Sequence, residues 1–484
     1  LFGQFAVGGE KQHRGRHGHR LFRAHMGQFH AAPEMARGHA DKGHAVAVLG
    51  VHVGLHLEDE AGDVLFLGRD LARFCRLRLR FGAIGADPVH QLAHAEGIDR
   101  GAEPDGRHRP FEEAVAGTRE RLIRSVELRL RSDVPVAFNL SGGVDSNALS
   151  AIAKRELGHD VHGYTIMNSD VRYEEADMIR LAVRELGIDH RGVVLSTDDF
   201  FTMLREQTRY HFAPVLTMSS YAGWRLNETI ARDGCRVTIN GVGADELFSG
   251  YYDHHNAYLA DMRLLDPMRH AEALLEWRDG AGRFVRNPFL QDPAYFIARP
   301  MSRDHIYLDA AGFSEMLCFP FEESFTEFLA SESLLRNRMA NELRDEAVPV
   351  LLHEEDLNSM YHSLENRAPF LDRQLFEWST RIPVRHLVRG GLAKAVLREA
   401  VRGTAPDDII RNPRKVGFNA SIEMFVDRGS PGTRSLLFED SPIFSVVDRE
   451  RLLNLVDEEF LPNSRSKFLF NFLSAKMFLE ECQP

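Results

Sequence analysis

The hexapeptide Ser-Gly-Gly-Val-Asp-Ser, which begins at Ser141, combines glycines with hydroxyl and carboxylate side chains. Gly142 and Gly143 let the backbone approach an anion closely, and a helix that begins there presents free N–H groups and the positive end of its dipole. Ser141 and Ser146 add hydroxyl donors, and Asp145 offers the oxygen ligand that Mg²⁺ prefers. The pattern predicts a loop for pyrophosphate and its metal. The alternative is an ordinary Gly-Gly turn before a capped helix.

The context of this hexapeptide favours the phosphate interpretation. It does not follow the Walker pattern, which has a four-residue spacer and ends in Gly-Lys-Ser or Gly-Lys-Thr. The apolar run 134–140 before it is typical of a buried strand, and the residues 146–156 after it have a helical pattern. A strand, a glycine turn and a helix start therefore follow one another at the predicted loop.

Strand and helix patterns alternate after residue 110, which implies right-handed crossovers and a parallel sheet. The predicted helices are 111–130, 146–156 and 174–186, and the predicted strands are 134–140, 160–167, 190–195 and 237–240. From about residue 316 helical patterns dominate. The sequence therefore predicts the α/β class, a parallel sheet flanked by helices with a mainly helical C-terminal part. Ligands in such sheets bind beyond the C-terminal strand ends, so we expect three loops to converge, 141–146, 167–170 and 241–246.

Two aspartates follow different predicted strands. Asp145 lies after the first strand and Asp245 after the strand at 237–240. Carboxylates from two strand ends are what a Mg²⁺ ion bridging triphosphate oxygens requires. Because aspartate is a common helix N-cap, capping is the alternative role for each of them.

Four separated motifs, in this order, resemble the synthetase domain of glutamine-dependent asparagine synthetases. They are Arg-Ser-Asp-Val-Pro-Val at 131–136, the Ser-Gly-Gly loop at 141–146, Gly-Ala-Asp-Glu-Leu-Phe-Ser-Gly-Tyr at 243–251 and Ser-Met-Tyr-His-Ser-Leu-Glu-Asn-Arg-Ala-Pro-Phe-Leu-Asp at 359–372. The resemblance runs from about residue 111 to near the C-terminus. It implies the fold of the ATP pyrophosphatase (PP-loop) superfamily, whose members split ATP into AMP and pyrophosphate while activating a carboxylate or related oxygen.

The resemblance also implies roles for particular residues. Asp145 and Asp245 would hold the metal, and Leu140 and Ile166 would contact adenine, although an apolar strand end is more often plain core. The nucleotide-binding set would comprise Leu140, Ser141, Gly142, Gly143, Asp145, Ser146, Ile166 and Gly243.

Two further residues are assigned catalytic roles by the resemblance. Glu365, in Leu-Glu-Asn-Arg-Ala-Pro-Phe, would orient or deprotonate the incoming ammonia at the acyl-adenylate site. A salt bridge with Arg367 is the alternative. Lys415, in Arg-Asn-Pro-Arg-Lys-Val-Gly-Phe, would reach the α-phosphate and pyrophosphate from a mobile loop and stabilise charge during adenylation. A solvated surface lysine is the alternative there.

The implied reaction is ATP-dependent amide synthesis. The side-chain carboxylate of aspartate attacks the α-phosphate of MgATP, pyrophosphate leaves, and ammonia, which the family obtains from glutamine, converts β-aspartyl-AMP to asparagine. Two rivals stay open: amidation or cyclisation of another carboxylate by an asparagine-synthetase-like enzyme, and a non-catalytic nucleotide-binding subunit. Asp145, Asp245, Glu365 and Lys415 are all present, which argues against the second rival.

Composition limits the partners and the compartment. The net charge of −12 argues against nucleic acid, because a basic surface is needed to neutralise phosphates. The four cysteines are scattered without a zinc or disulfide pattern, and no apolar run reaches the roughly 18 residues needed to span a bilayer. We expect a soluble cytoplasmic protein without a membrane or nucleic-acid partner. A homodimer is implied by the resemblance alone.

Residues 1–108 differ from residues 109–484, which form the predicted synthetase domain. About half of the 23 histidines lie in this first segment, together with arginine-rich patches, but no set of ligands completes a metal site. The resembled family has a glutaminase domain here that begins with a catalytic cysteine. This chain begins with Leu1 and has no cysteine before Cys75, so no glutaminase residue is assigned. We interpret residues 1–108 as a misread, wrongly joined or diverged segment with an irregular structure. Because no glutaminase residue is assigned, we expect the chain to use free ammonia as its nitrogen source.

Overall fold

The structure, a computed structural model, describes residues 109–167, 175–306, 308–320, 325–415 and 421–482. The prediction for residues 1–108 falls outside these residues, as does most of the expected loop at 167–170. The fold therefore concerns the predicted synthetase domain.

The centre of the domain is a parallel sheet of five strands. The strands are β1 (Val136–Asn139), β2 (His162–Ile166), β3 (Asp189–Val193), β4 (Val237–Ile239) and β5 (Glu365–Arg367), in the order β3-β2-β1-β4-β5. Phe138 of β1 pairs with Gly163 of β2 on one side and with Ile239 of β4 on the other. The strand order reverses beside β1, so the crevice between the C-terminal ends of β1 and β4 is where such a sheet binds its ligand.

Helices connect and cover the strands. The helices are α1 (Phe111–Arg129), α2 (Val144–Ala151), α3 (Ala176–Leu186), α4 (Phe200–His211), α5 (Met218–Arg232), α6 (Ala244–Phe248), α7 (Tyr252–Leu265), α8 (Pro267–Asp279), α9 (Tyr295–Ala298), α10 (Ala310–Glu315), α11 (Leu334–Asn341), α12 (Val348–Tyr361), α13 (Arg373–Ser379), α14 (Ala395–Ala400), α15 (Asp407–Arg411), α16 (Pro431–Phe438), α17 (Arg449–Val456) and α18 (Asn463–Glu481). Short 3₁₀-helices lie at Ala281–Arg283, Pro369–Leu371, Val384–His386, Ile422–Met424 and Pro442–Ser445, and π-helical turns at Ile152–Glu156 and Glu342–Glu346.

Side chains alternate between the two faces of the sheet, as the pleat requires. Phe138 and Ile239 pack into the main core with residues of α1, α2 and α3. Ala137 and Tyr164 pack on the other face against Leu226 and other residues of α5. Helices on both faces of a parallel sheet confirm the predicted α/β architecture.

The C-terminal part is mainly helical, as the sequence predicts. Its own core lies between α4 and α18, where Phe200 and Leu204 pack with phenylalanines of the run 468–472. Among the helices of the described ranges, none combines the length and apolar character needed to cross a bilayer.

The observed strands differ from the predicted ones by one or two residues at their ends, and two larger differences concern α2 and β5. Helix α2 begins at Val144 rather than at 146, and the part of the predicted helix after Ala151 is a π-helical turn, Ile152–Glu156. Strand β5 was not predicted, because Glu-Asn-Arg lacks the β-branched or aromatic residues that mark a strand. Its backbone forms a strand because it completes the ladder at the edge of β4.

Candidate active site

The predicted pyrophosphate loop joins β1 to α2 at the sheet crevice. The N-cap of α2 is Gly143, with extended backbone and no capping side chain. The hydroxyls of Ser141 and Ser146 lie 3.0 Å apart, and Ser146 Oγ also accepts the backbone N–H of Ser141 at 3.1 Å. Asn147 donates to the carbonyls of Ser141 and Gly143 at 2.9 and 2.7 Å. Side chains inside the loop therefore hold its shape, and the hydroxyls face each other.

A carboxylate that sequence analysis did not identify contacts this loop. Glu175, which directly precedes α3, accepts the backbone N–H of Gly142. A Cβ on Gly142 would lie 3.0 Å from the Cβ of Glu175, so the glycine is needed for this approach. Burial raises the pKa of Glu175 to about 7, against the opposing effects of the Gly142 hydrogen bond and of Lys415. Glu175 thus occupies an N–H group that a phosphate would need.

The two predicted metal-binding aspartates meet at one ammonium group. Lys394 Nζ lies 2.6 Å from Oδ2 of Asp145 and also forms a short ion pair with Oδ1 of Asp245. The helix caps beside these aspartates are Gly143 and Gly243, so the alternative that each aspartate is an N-cap is wrong. The loops after β1 and β4 therefore converge, as predicted.

Lys394 is held in place by unusual backbone geometry. It precedes α14 with a φ of 56°, in the left-handed region that non-glycine residues rarely adopt, and its side chain is only 3% exposed. Strain of this kind persists only where the surrounding structure enforces it. No local pattern in the sequence around Lys394 indicates this role, because its partners come from loops far away in the chain.

Close packing leaves no room for a side chain at Gly250 and little room at Gly241. A Cβ on Gly250 would lie 1.6 Å from Oδ1 of Asp245 and 2.3 Å from Cε of Lys394. A Cβ on Gly241 would lie 3.2 Å from the Cβ of Asp145. Backbone therefore forms part of the wall around the aspartates and the lysine.

Lys415 also belongs to this cluster. Its ammonium donates to both carboxylate oxygens of Asp245, at 2.9 and 2.8 Å, and lies 5.4 Å from the ring centroid of Tyr251. The hydroxyl of Tyr252 accepts the backbone N–H of Lys415 at 3.3 Å and donates to its carbonyl at 3.4 Å. Lys415 is paired and largely buried, so the alternative of a solvated surface lysine is wrong.

The charges of the cluster are mutually dependent. Burial alone opposes ionisation of Asp245, but Lys394 and Lys415 outweigh it and hold the pKa of Asp245 well below its usual range. The next residue, Glu246, behaves in the opposite way. Burial and the negative charge of Asp245 raise the pKa of Glu246, whose carboxylate accepts the Tyr251 hydroxyl at 2.5 Å.

The oxygen atoms present fit a divalent cation at Asp145. Its Oδ1 atom is buried and has no hydrogen-bond partner among the described residues, although Oδ2 is held by Lys394. Both oxygens of Asp245, by contrast, are engaged by lysine. A buried carboxylate oxygen without a donor is the type of ligand that Mg²⁺ prefers. Asp145 therefore offers a metal ligand directly, and Asp245 does so only when Lys415 moves away.

The structure does not bring Glu365 to the cluster. Glu365 pairs with Val237 at the start of β4, whereas the cluster lies beyond the C-terminal strand ends. Its side chain is 63% exposed and forms a two-point salt bridge with Arg367 at 2.9 and 3.1 Å, the alternative weighed from the sequence. Hydrogen bonding from Arg367 lowers the pKa of Glu365, which weakens it as a base. A catalytic role for Glu365 stays a prediction that this geometry does not support.

Leu140, Ile166 and Gly243, the remaining predicted nucleotide-binding residues, lie in the packed interior or in a tight turn. Leu140 lies in the main core, and Ile166 packs against the core on the other face, so the two do not form one wall. Gly243 has a φ of 94°, and a Cβ there would meet Leu371 at 2.4 Å. The turn before α6 therefore requires glycine, and binding roles for these three residues stay predictions.

Most of the chain matches one known protein family. Residues 117–480 match the family model described as asparagine synthase. The chain is 24% identical over 362 residues to the glutamine-hydrolysing asparagine synthetase 1 of Bacillus subtilis, covering 71% of this chain and 55% of that protein. For the glutamine-hydrolysing asparagine synthetase 3 of the same organism, the identity is 26%, with 72% and 56% covered.

A relative with a different name has a similar percentage identity to this chain. The amidase chyE of Penicillium rubens is 24% identical over 358 residues, covering 63% of this chain and 52% of the amidase. The match thus spans about half the length of each of these relatives.

Proposed function

Because the chain belongs to the asparagine synthase family, we propose that it is an ATP-dependent amide synthetase that converts aspartate and ammonia to asparagine, with AMP and pyrophosphate as the other products. The observation that supports this most strongly is the convergence of Asp145, Asp245, Lys394 and Lys415 beyond β1 and β4. Two carboxylates and two ammonium groups in one crevice are the groups needed to bind a triphosphate with its metal.

The loop after β1 binds the pyrophosphate part of ATP. In this step the N–H groups of Gly142 and Gly143 turn to phosphate oxygens, and Glu175 releases Gly142. The facing hydroxyls of Ser141 and Ser146 separate and donate to the same oxygens. These donors stabilise the charge that develops on pyrophosphate as it leaves.

Lys415 changes partner during the reaction. In the ligand-free protein it neutralises Asp245, and on nucleotide binding its ammonium moves to the phosphates, where negative charge accumulates. Lys394 stays between the aspartates and keeps them in place. Mg²⁺, held by Asp145 and then by Asp245, would supply charge neutralisation and orientation of the triphosphate.

The reacting carboxylate approaches the α-phosphate from the crevice side. Attack by the side chain of aspartate releases pyrophosphate and forms β-aspartyl-AMP, and ammonia then displaces AMP. No step of this proposal depends on Glu365, whose carboxylate forms a salt bridge with Arg367.

A second candidate keeps the adenylation and changes the acceptor. The match to an amidase, chyE, at the same identity as to an asparagine synthetase favours considering amide formation or cyclisation on another carboxylate. A non-catalytic nucleotide-binding subunit has less support, since the charged cluster is complete.

Pyrophosphate release from MgATP by the purified chain tests the proposal. We expect release that depends on aspartate, with asparagine and AMP identified by mass, when ammonium chloride is present. A parallel reaction with glutamine instead of ammonium examines the nitrogen source. Pyrophosphate release that does not depend on aspartate but depends on another carboxylic acid supports the second candidate. Absence of release with every acid tested supports a non-catalytic nucleotide-binding subunit.

A further inference from the structure

A half-buried carboxylate lies beside the crevice without any role in the steps above. Glu355, on α12, accepts hydrogen bonds at Oε2 from the side-chain amides of Asn240 and Asn366, the latter at 2.9 Å. Oδ1 of Asn366 in turn accepts from Asn240 at 2.9 Å and from Thr238 Oγ1 at 3.1 Å. The amides of Asn240, directly after β4, and of Asn366, in β5, therefore hold Oε2 of Glu355 beside these two strands.

Among the described residues, no cation balances the charge of Glu355. Within the part of the chain that the structure describes, its partners are neutral amides, and it forms no ion pair with lysine, arginine or histidine. Burial raises the pKa of Glu355 to about 7, and only the hydrogen bond from Asn366 opposes that effect. Buried carboxylates are normally paired, so this one offers a place for a positively charged ligand.

A second hydrogen-bond acceptor lies on the same face of the sheet. Oδ1 of Asn139 is buried and has no donor among the described residues. Phe138 pairs with Ile239, so the residues that follow them, Asn139 and Asn240, lie side by side and point to the same face. A carboxylate without a cationic partner and an amide oxygen without a donor are together complementary to a positively charged group with several N–H donors.

The amide cluster around Glu355 borders the proposed active site. Oδ1 of Asn240 accepts the backbone N–H of Val242 at 3.1 Å. Gly241, between them, approaches the Cβ of Asp145 so closely that its own Cβ would lie 3.2 Å away. Glu355 and Asn139 therefore lie on the side of the crevice adjacent to the phosphate-binding residues.

We propose that Glu355 and Asn139 bind a protonated amine of the substrates. This inference rests on the proposed function, which supplies two sources of that group: the α-ammonium of an amino-acid acceptor and the ammonium ion that supplies nitrogen. A phosphate or carboxylate is excluded from this position, because both acceptors would repel it. Glu355 is a binding residue in this account, since adenylation is performed by the groups at Asp145 and Lys415.

Two assays of the Glu355→Gln variant distinguish the sources. Exchange of labelled pyrophosphate into ATP needs aspartate but no ammonia, whereas asparagine formation needs both. Glutamine at this position can still accept a hydrogen bond but lacks the negative charge that attracts the amine, so we expect the relevant KM to rise about tenfold. A raised KM for aspartate in the exchange assay assigns the α-ammonium. A normal exchange assay with a raised KM for ammonium assigns the nitrogen donor.

Matched variants separate binding from folding. Asp356→Asn changes the exposed residue that follows Glu355 on α12, and we expect it to leave the KM values for aspartate and for ammonium unchanged. Asn139→Ala raises the same constant as Glu355→Gln, by about threefold or more for a neutral acceptor. Thermal unfolding verifies that each variant is folded.

The inference is overturned if folded Glu355→Gln keeps both constants within about twofold of the wild-type values, less than one ordinary hydrogen bond contributes. Failure of the proposed function has a different signature: the unmodified protein then shows no aspartate-dependent exchange at all.

Discussion

Lys394 donates a 2.6 Å hydrogen bond to Asp145, which lies 249 residues earlier in the chain. The same ammonium also contacts Asp245, so a side chain of the protein balances both carboxylates before any metal binds. This contact connects the loops after β1 and β4 with the segment before α14. We therefore expect Lys394 to stabilise the crevice and to influence how the two aspartates bind a divalent cation.

Replacement of Lys394 by methionine leaves two buried carboxylates without this cation. We expect a loss of about 3 to 5 kcal/mol in the free energy of unfolding, as when one partner of a buried ion pair is removed. Because Mg²⁺ then takes over part of the neutralisation, it raises the melting temperature of the variant more than that of the wild type. Urea and thermal unfolding with and without Mg²⁺ measure both effects.

The control for this variant is Lys154→Met. Lys154 pairs with Asp160, whose side chain is 88% exposed, and exposed pairs contribute about 0 to 1 kcal/mol. Equal stability of the two lysine variants would contradict a structural role for Lys394.

Glu175 competes with phosphate for the N–H group of Gly142. With a pKa of about 7, it is neutral below that pH and negative above it. We expect Glu175→Gln to bind pyrophosphate about fivefold more tightly at pH 8, since a nearby like charge costs about 1 kcal/mol. The difference between variant and wild type disappears at pH 6.

Calorimetric titration with pyrophosphate at both pH values measures this effect, and Glu185→Gln, at the exposed end of α3, is the control. Weaker binding by Glu175→Gln at pH 8 would show that this carboxylate helps rather than competes.

Tyr252 positions Lys415 through its backbone. Tyr252→Phe removes two hydrogen bonds to Lys415, so we expect kcat to fall about tenfold while KM for aspartate stays unchanged. Trypsin should also cut faster after Lys415. Tyr258→Phe, on the same helix, removes contacts to Arg269 and Arg385 instead and should affect neither measurement. Equal behaviour of the two variants would remove the positioning role.

Glu355 makes stability depend on pH in a defined direction. The folded protein keeps its proton up to about pH 7, whereas the unfolded chain releases it near 4.5, so folding binds protons between these values. Stability therefore falls as the pH rises through this window. Glu355→Gln lacks this loss, and its stability relative to the wild type should grow by up to about 3 kcal/mol between pH 5 and pH 8.

Urea unfolding at several pH values measures the difference. Glu365→Gln is the control, because the exposed Glu365 has a lowered pKa and stays ionised throughout this range. A constant stability difference between Glu355→Gln and the wild type would contradict the raised pKa.

Local patterns were sufficient to predict much of this architecture. The strand before Ser141, the glycines and Asp145 lie within one short stretch, and strand ends in a parallel sheet must face the same side. The sequence therefore predicted the sheet and the meeting of Asp145 with Asp245 correctly. Lys394 was not predicted, because only the tertiary fold brings it between the aspartates.

The polar strand β5 explains the remaining differences. Its Glu-Asn-Arg sequence resembles a loop, and its register against β4 can be known only from the folded sheet. That register places Glu365 at the end of the sheet away from the crevice and Asn366 beside Glu355. A motif resemblance alone therefore identified the segment but could not specify which of its side chains faces the site.

Transfer of ¹⁸O tests whether an acyl-adenylate forms in the crevice beyond β1 and β4. The unmodified chain is incubated with MgATP, ammonium and aspartate labelled with ¹⁸O in its side-chain carboxylate, and the nucleotide products are analysed by mass spectrometry. If the acyl-adenylate forms, we expect AMP that contains one ¹⁸O in its phosphate, together with unlabelled pyrophosphate. Asparagine formed with ADP as the product, or AMP without the label, would contradict it.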